Sequence, residues 1–286
     1  MAIDLHVHTT ASGDGDFSPK KVVEIAKEKN IQAIAITDHD TINGVEEGLL
    51  WGKRHGLEVI PGCEFYTEDM GKWLHLLGYF IDYKSQELSK FTEKIEEERK
   101  KTVRKQMDKL KKAGLFLELG DLYKSNLKPM FHNYANVIFA DSRNKDNDLV
   151  KKYLEKENPI VSFCMDWLVP GKPFNAYQYT PKASDIIKLI KNIGGVPVLA
   201  HPGALLKEEE DYIIDDLMFL GLEGIEIYTS WHNERNEEHY NKYCLGKDLI
   251  ITCGSDFHGS LKPKAKMGEI KHNTYDVVEE LRKRSN

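Results

Sequence analysis

The 286-residue chain has an ordinary globular composition, with 41% hydrophobic residues, 30% charged residues and a formal net charge of −6 at pH 7. This length allows a sizeable core, either in one large domain or in one domain with an insertion. The negative charge argues against wholesale electrostatic binding of nucleic acid, although it is compatible with a local basic patch.

No sequence feature directs the chain to a membrane or out of the cell. We find neither a basic stretch followed by an apolar run nor the roughly 18 consecutive apolar residues of a membrane span. The cysteines are scattered and form no C-x-x-C pair, which favours reduced, mostly buried thiols. We therefore expect a cytoplasmic protein without a membrane contact, and no obligate protein partner is readable. The four cysteines are Cys63, Cys164, Cys244 and Cys253.

The first predicted element is a strand close to the N-terminus, where polar and apolar residues alternate. Leu5 and Val7 are expected to face a core. Asp4, His6 and His8 then share the opposite face, because strand side chains repeat every two residues. Two imidazoles at one strand end can chelate a metal, although a His-x-His pair alone is a weak signal.

Strands and helices then alternate, which is typical of a parallel α/β architecture. The elements predicted in the first part of the chain are a helix capped by Ser18 and Pro19, a strand over residues 31–36, a helix over 45–55, and strands over 58–63 and 73–79. The elements predicted after residue 180 are a helix to residue 193, a strand over 196–200, a helix over 212–220, a strand over 224–228, a helix over 233–244 and a strand over 249–253.

The alternation is interrupted in the middle of the chain. A long charged helix is predicted over residues 85–114, because apolar residues recur there at helical spacing. The following segment is irregular, aromatic-rich and punctuated by prolines. We interpret residues 85–179 as an inserted, mainly helical cap between two parts of one barrel, residues 1–84 and 180–286.

The residue types that bind metals are expected to meet at one rim, because functional groups of α/β barrels lie where strands end and βα loops begin. Imidazoles and carboxylates suit Zn, Mn or Fe(II), and the absence of thiolates argues against a closed structural zinc site. Nine candidates are too many for one ion, so we expect two or three metals and a bridging carboxylate such as Glu64. The candidates are His6, His8, Asp14, His39, Glu64, His75, His201, Asp256 and His258.

Short motifs around these candidates resemble those of a known family. They are His6-Val7-His8, Asp14-Gly15, Ile36-Thr37-Asp38-His39-Asp40, Gly62-Cys63-Glu64, Leu74-His75-Leu76-Leu77-Gly78-Tyr79, Ala200-His201-Pro202-Gly203 and Gly254-Ser255-Asp256-Phe257-His258-Gly259. Through nearly the whole chain, and in the same order, they resemble the PHP (polymerase and histidinol phosphatase) superfamily of metal-dependent phosphoesterases. The resemblance implies an α/β fold, a distorted TIM-like (β/α)7 barrel with up to three metals. The chain is most similar to the branch with an inserted cap, which includes nucleoside 3′,5′-bisphosphate phosphatases and a 5′-to-3′ oligoribonucleotide nuclease.

The resemblance also implies roles for individual residues. One metal would be bound by His6, His8, Glu64 and Asp256, a second by Glu64, His75 and His201, and a third by Asp14, His39 and His258, with Glu64 as the bridge. Asp4, Asp38 and Asp40 are expected around these ligands, where they would orient imidazole rings. A plain structural role, such as a helix cap, is the alternative for Asp40.

The region of the cap departs from the family's pattern. This departure leaves the identity of the substrate less defined than the type of reaction. The family's Arg-Pro-His motif corresponds here to Lys128-Pro129-Met130-Phe131-His132, in which His132 is either a phosphate contact or a surface histidine. Arg99 and Arg104 lie where the family's long helix carries phosphate-binding arginines, but a solvated face is an alternative. His232, after the strand over 224–228, is a further candidate for a phosphate contact.

We predict a phosphoesterase that hydrolyses a small phosphomonoester, namely a nucleotide, a nucleoside bisphosphate or a short RNA 5′ end. A hydroxide that bridges two metals would attack phosphorus in line, and the proton donor to the leaving oxygen is a nearby side chain or a water. The acidic charge favours a small substrate. One alternative is an amidohydrolase-type C–N hydrolase, whose barrel also begins with His-x-His but uses fewer ligands. Another is a noncatalytic metal-binding module, which would lack ligands that are present here.

Overall fold

A computed structural model describes residues 2–123, 131–169, 171–176 and 179–286. The chain divides into two compact units. Met1–Thr92 and Thr180–Asn286 form the first, which we call the barrel unit, and Glu93–Tyr179 forms the second, which we call the helical unit. No helix of the described segments is both long and apolar enough to cross a membrane. The four cysteines are free and buried, which confirms that prediction.

The barrel unit contains a seven-stranded sheet in which the strands follow chain order. The strands are β1 (Ile3–Val7), β2 (Ala33–Ile36), β3 (Glu58–Asp69), β4 (Lys72–Tyr79), β5 (Val196–Leu199), β6 (Gly224–Thr229) and β7 (Ile250–Gly254). The two edges of the sheet approach each other, because the backbone N–H of His8 donates to the carbonyl of Phe257 at 2.9 Å. The nearly closed sheet confirms the predicted distorted barrel.

One strand runs against the others. β4 pairs antiparallel with both β3 and β5, whereas the remaining neighbours are parallel. Only Met70 and Gly71 separate β3 from β4, and both have positive φ angles, of 46° and 76°. Two residues suffice for a hairpin turn of this conformation but not for a crossover to a parallel strand. The expectation of a parallel architecture is therefore wrong at β4.

The helices are interspersed with short 3₁₀ and π turns. They are α1 (Pro19–Glu28), α2 (Val45–His55), α3 (Gln86–Lys112), α4 (Leu119–Leu122), α5 (Phe131–Ala140), α6 (Asp148–Lys151), α7 (Pro159–Phe163), α8 (Ala183–Asn192), α9 (Pro202–Leu205), α10 (Asp211–Leu220), α11 (Glu234–Cys244) and α12 (Asp276–Arg284). The 3₁₀ turns are Ser142–Asn144, Glu208–Glu210 and Gly259–Leu261, and the π turn is Cys164–Leu168. α1 begins where predicted, because the Ser18 side chain accepts a hydrogen bond from the Lys21 N–H.

Each unit has a hydrophobic core of its own. β1, β2, β5 and β6 are entirely buried, and the apolar side chains of the sheet pack against the apolar stripes of the surrounding helices. Members of this core include Leu5, Ala35, Leu76, Ile186, Ile190 and Ile225. The core of the helical unit includes Val103, Leu110, Tyr134, Ile138, Tyr153 and Phe163.

Candidate metal centre

Histidines and carboxylates converge at the carboxyl ends of the parallel strands of the barrel unit. β1 and the loop after it supply His6, His8 and Asp14; β2 is followed by His39; β3 and β4 contain Glu64 and His75; β5 is followed by His201; β6 contains Glu226; and β7 is followed by Asp256 and His258. All are buried except Asp14 and His75, whose side chains are 22% and 16% exposed. The structure thus brings together all nine residues that were predicted as metal ligands.

Glu64 lies at the centre of this cluster and is fully buried. Its Oε2 atom lies 3.2 Å from His6 Nε2, 3.2 Å from His8 Nε2 and 3.1 Å from His39 Nδ1. Its Oε1 atom lies 2.8 Å from His75 Nδ1 and 3.0 Å from His201 Nε2. The two oxygens therefore face two different sets of imidazoles, which is the geometry that a bridging carboxylate needs.

The ligand atoms fall into groups within which all atoms lie within 4.8 Å of one another. The groups are His6, His8, Glu64 and Asp256; His8, Asp14, His39 and His258; His39, Glu64 and His75; and His6, His201 and Glu226. The first group has the composition expected for one metal, and the second contains the set expected for another. The set of Glu64, His75 and His201 is distributed over two groups, although both imidazoles contact the same oxygen of Glu64.

Several buried atoms of the cluster make no hydrogen bond to any residue that the structure describes, and a divalent ion would satisfy them. They include His6 Nε2, both ring nitrogens of His8, Glu64 Oε2, His201 Nδ1, Asp256 Oδ1 and His258 Nε2. Leaving buried polar atoms without hydrogen-bond partners costs folding free energy. The concentration of such atoms in one cluster therefore indicates a bound ligand that satisfies them. Imidazole nitrogens and carboxylate oxygens without thiolates are a donor set that accepts Mn, Fe(II) or Zn. The residues present therefore fit a cluster of divalent metals.

The electrostatics of the cluster favour bound cations. Burial by itself raises the pKa of Glu64, but the surrounding imidazoles, His39 first, lower it well below its ordinary value. The pKa of Asp256 is also held well below its ordinary range, because His6 and His8 outweigh the effect of burial. Burial lowers the pKa of His8, yet Asp256 and Glu64 raise it to about 9. The carboxylates are thus ionised at neutral pH, and metals compete with protons for the imidazole nitrogens.

Two candidates do not follow strand ends as expected. β3 continues to Asp69, so Glu64 lies in the middle of that strand. His75 lies within β4, opposite Tyr66 of β3. Because β4 runs antiparallel, its first half lies at the rim where the parallel strands end, and this direction brings His75 to the cluster.

Two of the three surrounding aspartates accept hydrogen bonds from backbone and hydroxyl groups of nearby loops. Asp38 accepts hydrogen bonds from the backbone N–H and hydroxyl groups of Thr9 and Ser12. Asp4 accepts from the Ser255 N–H and hydroxyl and from the Gly268 N–H. These bonds fix the loops after β1 and β7, and Asp4 also accepts from the His6 N–H at 3.3 Å. The expected role of both residues in orienting imidazoles stays a prediction.

Asp40 also supports a neighbouring strand. Its side chain accepts a hydrogen bond from the Tyr66 N–H at 3.1 Å, and its backbone N–H donates to the carbonyl of Glu64 at 2.8 Å. The N-cap of α2 is Gly44, so Asp40 does not cap that helix, but its two contacts are of the plain structural kind that was the alternative. The Tyr66 ring stacks on His39 with the centroids 4.3 Å apart, which places Tyr66 beside the cluster.

Glu226 is a residue of the cluster that the sequence analysis missed. Its Oε1 atom accepts a hydrogen bond from His6 Nδ1 at 2.9 Å, and its Oε2 atom accepts from the His201 N–H at 3.0 Å. The first bond fixes the tautomer of His6 and turns Nε2 toward Glu64. The signal in the sequence was a charged residue at the centre of the apolar strand β6, where an unpaired carboxylate is costly.

The predicted phosphate contacts are divided between the two units. His232 donates from Nδ1 to the carbonyl of Ile227 at 2.7 Å and accepts at Nε2 from the Gly203 N–H at 2.8 Å. Both ring nitrogens are therefore engaged by backbone groups, which argues against the predicted phosphate contact at His232. Arg99 and Arg104 belong to α3 and His132 to α5, all within the helical unit, and their role in phosphate binding stays a prediction. Residues 128–130 of the associated motif lie outside the described residues.

A nearly closed α/β barrel with a buried cluster of imidazoles and carboxylates at one end defines a metal-dependent hydrolase. Residues 4–155, more than half of the chain, match the sequence model of the PHP domain. The chain therefore belongs to the PHP family of metal-dependent phosphoesterases, which confirms the resemblance seen in its motifs.

Comparison with individual proteins supports this assignment along the whole chain. The phosphoribosyl 1,2-cyclic phosphate 1,2-diphosphodiesterase of Eggerthella lenta is 28% identical in an alignment of 291 positions, which covers 97% of this chain and 99% of that protein. The 3′,5′-nucleoside bisphosphate phosphatase of Chromobacterium violaceum is 26% identical and covers 90% of this chain and 87% of its own length. A crystal structure from Bifidobacterium adolescentis has a TM-score of 0.79 at 22% identity, over 99% of this chain and 96% of that one, and shows the same fold.

Proposed function

We propose that this protein hydrolyses a small phosphomonoester of the nucleotide type, with two or three divalent ions bound by the cluster around Glu64. The observation that carries the proposal is the single buried carboxylate in contact with five imidazoles. Relatives named for a nucleoside bisphosphate and for a phosphoribosyl cyclic phosphate support a small phosphorylated substrate.

The proposed ligand sets are those that the resemblance to the family implies, and two of the three lie within one group of clustered ligand atoms. One ion would be held by His6, His8, Glu64 and Asp256, a second by Glu64, His75 and His201, and a third by Asp14, His39 and His258. Mn, Fe(II) and Zn all suit this set of nitrogen and oxygen donors. When bound, such ions supply an activated water at neutral pH and neutralise charge on the phosphoryl oxygens.

Residues of the cluster hold the metal-binding atoms in fixed positions. Glu64 directs its two oxygens to separate sets of imidazoles, and Glu226 keeps His6 in the tautomer that presents Nε2 to the cluster. The backbone of His201, at a φ angle of 29°, is held by its hydrogen bond to Glu226. A residue in so sparsely populated a conformation persists because its surroundings fix it. These contacts preorganise the donors before substrate arrives.

Phosphate release by the metal-reconstituted protein tests this proposal. The panel comprises nucleoside 3′,5′-bisphosphates, simple nucleotides, histidinol phosphate and short 5′-phosphorylated RNAs, each with Mn, Fe(II) or Zn and with a metal-stripped control. We expect release from at least one class, and none from the stripped protein. Absence of phosphate release from every substrate of the panel, with metals demonstrably bound, would contradict the proposal. Hydrolysis of amide substrates instead would favour the C–N hydrolase.

A further inference from the structure

Two partly exposed side chains contact the cluster through the carboxylate of Asp256. The Oδ1 atom of Asp256 points into the cluster, 3.0 Å from His8 Nε2. Its Oδ2 atom accepts hydrogen bonds from Trp231 Nε1 at 2.6 Å and from Lys262 Nζ at 2.9 Å. One carboxylate therefore connects the proposed metal site to an aromatic ring and to a cation.

The indole N–H of Trp231 is held by a hydrogen bond, while about half of the residue is exposed to solvent. It follows β6, and its N–H is held by Asp256, so the orientation of the ring is set by the cluster. Its centroid lies 5.9 Å from that of His201, at an interplanar angle of 51°, so the two rings are not stacked. Yet 48% of the residue is exposed. A rigid, exposed aromatic face beside a phosphoester site suits a planar ring of the substrate, since bases stack on aromatic side chains.

The ammonium of Lys262 lies over the ring of Trp231. Its Nζ atom is 5.1 Å from the centroid of the Trp231 ring, and its side chain is 36% exposed. An ammonium has three donors, and within the described part of the chain its hydrogen bond goes to Asp256. Asp256 also faces the imidazoles of His6 and His8, so Lys262 is not the sole group that can balance its charge. The ammonium can therefore also bind a phosphate oxygen.

We propose that Trp231 and Lys262 form a nucleotide subsite, in which the indole stacks on the base and the ammonium binds a phosphate oxygen. The inference rests on the proposed function and names the residues that would select a substrate that carries a base. Trp231 and Lys262 thereby select the substrate and do not take part in bond cleavage.

The test measures dissociation constants by titration calorimetry on metal-loaded protein. The probes are the phosphonate analogues of adenosine 5′-monophosphate and ribose 5-phosphate, whose P–C bond cannot be hydrolysed. We expect the wild type to bind the adenosine analogue more tightly. Trp231→Leu should raise the dissociation constant of the adenosine analogue by about 5- to 100-fold, the range of one base stack. The dissociation constant of the ribose analogue should stay within about twofold of the wild-type value. Lys262→Met should weaken both analogues by about ten- to a hundredfold, and Lys262→Arg should restore most of the loss.

Control variants separate stacking from support of Asp256. Trp231→Phe keeps an aromatic face but loses the N–H, so it should retain most of the preference for adenosine. Trp51→Leu and Lys264→Met, outside the proposed subsite, should bind both analogues as the wild type does. Equal binding of the two analogues by the wild type would overturn the inference. So would a Trp231→Leu protein that loses both analogues and its metal together. Failure of the proposed function is seen separately, as absence of phosphate release by the wild type.

Discussion

Replacement of Glu64 by alanine should reduce phosphate release by at least about 10³-fold, equivalent to roughly 4 kcal/mol of activation free energy. Glu64 is the carboxylate that contacts the imidazoles on both sides of the cluster, so its loss removes a shared ligand rather than one of several equivalent donors. The same variant should bind less metal. The measurement is a steady-state rate with the best substrate of the panel, together with the metal content of the variant.

Two further variants make this prediction specific. Glu64→Gln keeps the shape of the side chain but not its charge, and it should be nearly as inactive as the alanine variant. Glu58→Gln alters a glutamate at the start of the same strand, where the carboxylate contacts Tyr275 and Arg282, and it should retain activity and metal. All variants should keep the circular dichroism of the wild type, because the apolar core of the barrel unit is unchanged. Wild-type activity and metal content in Glu64→Ala would show that Glu64 bridges nothing.

Glu226→Gln should weaken metal binding by about 10- to 100-fold, the cost typical of losing a partner behind a metal ligand. The wild-type carboxylate accepts two hydrogen bonds, from His6 Nδ1 and from the His201 N–H. A glutamine amide can accept only through its oxygen, so its NH₂ group would face a donor. We therefore expect activity to be regained at high metal concentration, with the maximal rate little changed. Titration of the stripped variant with Mn, followed by activity, measures this shift.

Glu223→Gln is the matched control for this experiment. Glu223 lies just before β6 and pairs with Lys191 at 3.0 Å, outside the cluster. Its replacement should leave the metal titration unchanged. If Glu226→Gln binds metal as tightly as the wild type, then Glu226 does not position His6 or His201. If its activity is lost at every metal concentration, Glu226 acts as more than a positioning residue.

The barrel and most of the cluster could be predicted because they depend on local patterns. Alternation on β1 placed His6 and His8 on one side, and buried apolar runs marked β2 and β5. The cap of α1 was predictable because Ser18 and Pro19 are adjacent. Each of these features is encoded within a few neighbouring residues, so tertiary contacts did not override them.

The features that were missed depend on partners far along the chain. The reversal of β4 follows from a two-residue turn whose positive φ angles are not fixed by Met70 and Gly71 alone. The hydrogen bonds of Asp38 with Thr9 and Ser12 were not predicted, because these residues are close only in the folded barrel. The importance of Glu226 likewise arises from His6, 220 residues away in sequence. Such pairings require the three-dimensional arrangement.

The most direct test of the metal centre is the metal-to-protein ratio of the reconstituted, desalted protein, measured by elemental analysis. We expect at least two ions per chain in the wild type and clearly fewer in Glu64→Ala, because the cluster contains more donors than one ion can use. A folded wild-type protein that retains less than one ion per chain under Mn, Fe(II) and Zn alike would contradict the proposed centre, and with it the proposed hydrolysis of phosphomonoesters.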